Sequence, residues 1–575
     1  MGGVGKTTLA REVGSQAQKL NLFDKVVITT VSQKPNLERI QDQIAQYIGF
    51  DMKTSLDLRW CHSMQCLIDA SKQQVPITAL SNLRKLSLSC MFHLEEICNA
   101  PQPQGFLQKL EEVIVSDCGE MQVLFPIAEL RSIEQEGPSR HLSLQSLKIV
   151  EIEGCNNLKY IFPMSVANSL GQLHTLKIQS CSQLEDIIQD PQLAYKCLLQ
   201  SLREVSLIDL PQLKGRDVND IMLTQSSLQK LKVHNCPQLT HFIISTTIQE
   251  LVFGKMTNEQ LSNLHLCKYE ELEQDQTSSQ HHPLPVCFPN LILLDILECE
   301  SLKSLFPIIV AQGSSKQLNA PNLQTLRIER CFGMEEIIQD SQVSTISFQF
   351  LREVKVTECN KLKFLFPVCV ANSLGQLQTL MIERCFGMKE IIQDSQVSST
   401  ISFQCLREVQ VTECNKLKFL FPMCVANSLG QLQTLRIKSC FQLQEIIQGP
   451  KVLILMSQGL ARLNEVELIN LPQLKGRDRN DIVLTSPSLR VLKVRDCPQL
   501  TPFIVPTNIQ KLELSEMTEK KQISNVTVPE RRGRTSTCTE YLTISNFEEL
   551  FECSGYNLST LNFLRLYKLT ELRVI

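Results

Sequence analysis

From Leu351 to Gln448 one arrangement of apolar and polar positions is written four times. Leu351-x-x-Val354-x-Val356-x-x-Cys359-x-x-Leu362 returns as Leu377-x-x-Leu380-x-Ile382-x-x-Cys385-x-x-Met388, then over Leu406 to Leu417, then over Leu432 to Leu443. The alternation predicts a short strand in each unit, with Leu380 and Ile382 on one face and Thr379, Met381 and Glu383 on the other. One unit cannot bury such a face alone, so consecutive units must stack into a curved solenoid. The cysteine belongs to the turn that leaves the strand, a small inward side chain able to bond backbone.

Nearly all of residues 81–575 follow this grammar, which is that of a leucine-rich repeat. Units begin at Leu83, Leu110, Leu147, Leu173, Leu202, Leu228 and Ile248, then from Leu291 through Leu463 and Leu489 to Ile509, with weaker ones around Leu542 and Leu561. Two unit types alternate. One continues past Phe366-Pro367 into Val370-Ala371-Asn372-Ser373-Leu374-Gly375, a predicted short helix opened after proline and closed by glycine. The other continues as Lys389-Glu390-Ile391-Ile392. Cys155-Asn156-Asn157-Leu158 echoes Cys414-Asn415-Lys416-Leu417, which points to internal duplication. Irregular polar insertions fall near 270–285, with His281-His282, and near 520–538, with Arg531-Arg532-Gly533-Arg534. Both are read as solvated loops, since no further ligands gather near the histidines. Residues 51–80 hold Trp60 and two cysteines read as off-register, Cys61 and Cys66, and are expected to form a linker or a cap.

Composition narrows the partners. A formal net charge of −3 with 20% charged residues lacks the excess of Lys and Arg that nucleic-acid binding uses, so no nucleic acid is expected. Of 23 cysteines, eleven share the repeat position, so stacking explains them better than disulfide pairing does. No secretory signal and no apolar run of membrane-spanning length is visible, which gives the expectation of a soluble cytoplasmic protein without an integral membrane segment.

The head of the chain carries different chemistry. Gly2-Gly3-Val4-Gly5-Lys6-Thr7-Thr8 reads as the end of a phosphate-binding loop. Glycines let backbone N–H groups approach phosphates, Lys6 reaches the β/γ phosphates, and the Thr7 hydroxyl serves magnesium through the nucleotide. A helix over Leu9 to Leu20, a strand over Val26 to Val31 and a helix over Leu37 to Ile48 are predicted to follow. The full G-x-x-x-x-G-K-[ST] motif would place its first glycine before Met1, and no strand precedes the loop. The fold class expected is therefore α/β: a leucine-rich-repeat solenoid, or horseshoe, over 81–575, preceded by a partial P-loop NTPase fragment over 1–50.

Residues 1 to about 50 resemble the nucleotide-binding (NB-ARC) module of plant intracellular immune receptors with leucine-rich repeats. The resemblance rests on the loop and on Phe23-Asp24-Lys25-Val26-Val27-Ile28-Thr29-Thr30-Val31-Ser32-Gln33, continued by Ile40-Gln41-Asp42-Gln43-Ile44-Ala45. The repeats, with their cysteines and Leu-Phe-Pro turns, look like those of the family's coiled-coil branch. The family's acidic strand, sensor arginine, Gly-Leu-Pro-Leu and Met-His-Asp segments have no counterpart between Asp51 and Ala79. Leu291-Ile292-Leu293-Leu294-Asp295 imitates the acidic strand but lies on the repeat register. The resemblance implies a disease-resistance receptor, truncated in its nucleotide-binding module, with ADP or ATP and magnesium as cofactors and a pathogen-derived or guarded host protein as partner.

No Ser/His/Asp set, metal-ligand spacing or catalytic carboxylate pair stands outside the repeat grammar, so an enzyme is not expected, and hydrolysis would also need the acidic strand. Exposed strand positions mix signs, as in Lys177 and Gln179, Arg327 and Glu329, Glu353 and Lys355, Arg436 and Lys438. Such a concave surface suits a protein partner chosen by charge pattern. The alternative reading is a repeat scaffold or decoy with the same surface and no nucleotide binding.

Overall fold

The computed structural model describes residues 6–19, 54–68, 80–98, 107–125, 143–163, 166, 169–189, 201–214, 227–239, 242–257, 260, 264–267, 288–305, 320–338, 348–393, 403–448, 462–475, 488–500, 503–504, 511–515, 526–527, 541–544 and 564–566. The chain divides into two units, Met1–Lys214 and Gly215–Ile575. In the first, the strands Ser55–Arg59, Lys85–Ser89, Glu112–Ser116, Ile149–Glu153, Thr175–Gln179 and Glu204–Ile208 pair in parallel, each with the next. In the second, a parallel ladder runs from Lys230–His234 to Leu564–Leu566.

Within each ladder equivalent positions lie side by side: Leu380 faces Val354 and Val409, and Ile382 faces Val356 and Val411. A slip by one residue would turn every inward side chain outward, so the buried face fixes the register. The strand Thr379–Glu383 buries its second and fourth residues and leaves the other three half-buried, as its alternation predicts. Burying one leucine side chain contributes about 1.5–3 kcal/mol, and each unit adds several such side chains to the shared interior.

The residue after each strand bends the chain. Arg330, Glu358, Arg384, Glu413 and Ser439 all have φ between 52° and 57°, in the left-handed region. Each donates its backbone N–H to the last carbonyl of the next strand, as Glu358 does to Glu383 at 2.8 Å and Arg384 to Thr412 at 2.9 Å. The cysteine follows and turns inward. Cys359 Sγ donates to Thr357 O, Cys385 to Glu383 O and Cys414 to Thr412 O, each at 3.5 Å. All eleven repeat-position cysteines are buried, and none is joined in a disulfide. Burial pushes the Cys181 thiol up to about 11 and the Cys497 thiol up to about 12.

Two readings change. Cys61 is on the register: its Sγ lies 3.7 Å from Arg59 O, repeating the ladder contact, behind Trp60 at φ 61°. The stretch 51–80 thus supplies a strand of the ladder, and Trp60 packs edge-on against Phe92 at 6.3 Å. The α/β expectation also gives way to a β-solenoid with little helix among the described residues. The predicted return helix shrinks to one turn, Val368–Ala371, and in the sister unit to the 3-10 turn Met423–Ser428 after Pro422. These returns are too short for a nucleated helix, so side chains hold them instead. Ser373 Oγ donates to Val370 O at 2.7 Å and accepts from Phe348 N at 2.9 Å, tying one unit's return to its neighbour. Phe348 and Phe366, and likewise Phe403 and Phe421, lie 6.1 and 6.0 Å apart inside.

Candidate partner-binding face

The solvent side of each ladder is a grid whose columns are the first, third and fifth strand residues. Charges fill much of it and answer each other between neighbouring strands. In the first unit Lys177 Nζ reaches Glu151 at 3.1 Å and Glu204 at 3.4 Å, which raises the lysine above its ordinary range. Lys85 meets Glu112 at 2.9 Å.

In the second unit Arg436 joins Glu408 at 2.9 Å and Glu465 at 3.1 Å. Glu467 lies buried among Lys438, at 2.8 Å, and Lys493, at 3.0 Å. Burial alone would raise its carboxyl, but the hydrogen bonds from Lys438 and Lys493 outweigh it and hold the group below the ordinary carboxylate range. Arg327 donates to Glu353 at 3.0 and 3.2 Å.

Around Asp295 the grid is less complete. Its Oδ1 is buried with no hydrogen-bond partner among the described residues, and burial raises its carboxyl despite the charges of Arg327, Lys232 and Lys355. Leu294 and Ile296 on either side are buried, so the stretch from Leu291 to Asp295 belongs to a repeat unit whose strand is Leu293–Leu297, with Asp295 half-buried at its central position. Lys177, Gln179, Arg327, Glu329, Glu353, Lys355, Arg436 and Lys438 all stand on solvent-side positions, as predicted.

Along the strand exits a second column alternates in sign. Arg330 reaches Glu298 at 2.8 Å and Glu358 at 3.3 Å, while Arg384 reaches Glu358 at 3.2 Å and Glu383 at 3.1 Å. One step beyond lie the exposed rings of Phe332, Phe386 and Phe441, a row the sequence reading passed over. The available signal was Cys-Phe-Gly-Met recurring at Cys331 and Cys385, with Cys-Phe-Gln-Leu at Cys440. An apolar residue in a polar turn marks an outward side chain when the interior position is already taken by cysteine.

At the head, the helix Lys6–Lys19 places Lys6, Thr7 and Thr8 in its first turn, while Gly2, Gly3, Val4 and Gly5 lie outside the described residues. No acidic residue stands in that turn, and its free N–H groups suit an anion, so the backbone present is compatible with a phosphate. Leu9 and Val13 on this helix are exposed. The predicted strand over 26–31 and helix over 37–48, with His281, His282 and Arg531 to Arg534, lie outside the described residues. No helix among the described residues is long and apolar enough to cross a membrane.

The sequence profile described as plant disease resistance protein RPS2-like, leucine-rich repeats, matches residues 11–135, 127–182, 312–386 and 388–521. The putative disease resistance protein At4g10780 of Arabidopsis thaliana is 21% identical over 272 residues, covering 44% of this chain and 28% of the relative. Putative disease resistance protein At3g15700 of the same plant is 47% identical over 60 residues, 10% of this chain and 15% of the relative. The chain thus aligns with less than a third of the length of either relative. Among solved structures, the Leptospira interrogans LRR protein LIC12759 is similar with a TM-score of 0.30 and 16% identity, covering 79% of this chain and 91% of that one. With the profile matching more than half of the residues, on a ladder whose leucines and cysteines fall where its repeats require them, the chain belongs to the family of RPS2-like plant disease resistance leucine-rich-repeat proteins.

Proposed function

We propose that this chain is the recognition portion of an intracellular plant immune receptor of the coiled-coil NB-ARC branch, acting in the cytoplasm without catalysis of its own. Its strand face binds a pathogen-derived or guarded host protein. Membership of the disease resistance repeat family is the observation that carries this reading. The strand face adds support, because its largely self-paired charges give way around Asp295 to the cations of Lys232, Arg327 and Lys355, which a partner of matching charge can meet.

At the head, the backbone N–H groups of Gly2, Gly3, Val4, Gly5 and Thr8 would surround the phosphates of ADP or ATP. Lys6 would meet the β/γ phosphates, and Thr7 would hold magnesium through the nucleotide. The nucleotide supplies the bound charge that a receptor of this type senses; the residues supply its cradle.

Two measurements test the reading. Titration of the chain with ADP and magnesium should give saturable binding that Lys6→Ala removes; binding indifferent to Lys6, or none, leaves the repeat scaffold or decoy. Co-precipitation with candidate pathogen effectors should be lost in Arg327→Glu with Lys355→Glu; a partner retained by that variant binds somewhere other than the strand face.

A further inference from the structure

We infer that the strand-exit edge of the second unit, across the turns from Cys331 to Leu443, is a docking strip for an acidic segment of protein bearing regularly spaced apolar side chains.

Five consecutive strands, Thr325–Glu329, Glu353–Thr357, Thr379–Glu383, Glu408–Thr412 and Thr434–Lys438, pair in unbroken parallel register. The residues that follow their cysteines therefore form one column: Phe332, Asn360, Phe386, Asn415 and Phe441. The three phenylalanines are 38%, 40% and 43% exposed, whereas Phe348, Phe366, Phe403 and Phe421 in the same stretch are buried. Strand spacing of about 4.8 Å puts successive rings roughly 10 Å apart.

The rings cannot retreat. Cys385 and Met388 already fill the interior positions of the turn. Gly387 lies so close to the preceding unit that a Cβ there would stand 2.2 Å from Asn360 O, and one on Gly333 would stand 2.1 Å from Glu300 O. The turns are pressed backbone to backbone, and the phenylalanine beside each glycine is left outside.

Lysines fill the gaps between the rings. Lys361 and Lys416 follow the two asparagines and are exposed, and Lys389 and Lys418 stand on the same turns. None of these four forms an ion pair with another described residue, whereas Lys363 nearby is held by Glu335 at 2.9 Å. Arg330 and Arg384, just inside the edge, are bound to Glu298, Glu358 and Glu383. Apolar anchors interleaved with exposed cations fit a partner of the opposite pattern. A segment in polyproline-II conformation, with three residues per turn and about 3.1 Å per residue, presents every third side chain on one face in step with the rings, and carboxylates between them meet the lysines.

This strip is separate from the strand face and does not depend on the reading of that face. The test uses the full chain and a fluorescein-labelled peptide of repeated Phe-Glu-Glu. Saturable binding is expected, weakened about tenfold or more by Phe386→Ala and by Lys361→Glu with Lys416→Glu, and unchanged by Lys355→Glu on the strand face. Replacing the peptide's glutamates by glutamine should weaken it equally. Circular dichroism of Phe386→Ala should match the native chain, since the ring is exposed. Absence of saturable binding, equal binding to Phe386→Ala, or binding of short single-stranded oligouridylate in place of the peptide would overturn the proposal.

Discussion

Glu467 and Asp295 occupy the same place, the central solvent-side position of their strands, and the ladder treats their carboxyls in opposite ways. Glu467 receives Lys438 at 2.8 Å and Lys493 at 3.0 Å. Asp295 Oδ1 is buried without a hydrogen-bond partner among the described residues. Both lose water; only Glu467 recovers hydrogen bonds for it.

Glu467→Gln should lower the thermal midpoint at neutral pH, by a stability loss of roughly 1–3 kcal/mol, between that of a surface pair and a fully buried one. The folded carboxyl lies below its ordinary range, so its contribution is complete above the unfolded carboxylate pKa and is lost as pH falls through the folded one. Midpoints of the native chain and the variant should therefore converge on acidification.

Asp295→Asn should do the reverse. Burial raises this carboxyl, so the folded chain holds its proton more tightly than the unfolded chain does, and stability falls as pH rises through the raised value. Removing the charge should lift the midpoint at neutral pH and have no effect once both states are protonated, a difference that thermal melts across the acid range would read.

Gly387→Ala forces a Cβ to 2.2 Å from the Asn360 carbonyl, which neither backbone can yield without moving a unit. A loss of about 1–3 kcal/mol is expected, while Gly171→Ala, with open space around its Cβ, should cost little. Urea midpoints of the two variants would separate them.

Alkylation of the native chain at mildly alkaline pH should label the exposed Cys424 and spare the ladder thiols. Cys181 and Cys497 stay protonated up to about 11 and about 12, and their burial denies access as well. Peptide mapping by mass spectrometry would show label on Cys497 only after unfolding.

The repeat grammar made the ladder legible because a strand period of two and a fixed cysteine leave one way to bury Leu380 and Ile382 together. Trp60 and Cys61 were misplaced for the converse reason. Their unit has Lys53 where the units from Leu83 to Ile509 have leucine or isoleucine, and only the pairing of Ser55–Arg59 with Lys85–Ser89 reveals it. The left-handed residue before the cysteine was hidden in most units, since residues such as arginine, glutamate and serine fill it where glycine, as at Gly154 before Cys155, would have announced it.

By itself the sequence determined which residues face inward, how units succeed one another, and that eleven thiols belong to the interior, because periodicity and burial are local consequences of side-chain chemistry. Tertiary structure alone decided which charges meet. Glu467 and Lys493 are 26 residues apart and become partners only when neighbouring strands align, as Arg436 and Glu408 do across 28. The aromatic edge arises the same way: single phenylalanines in separate turns become one row because stacking brings equivalent positions within reach of a single partner.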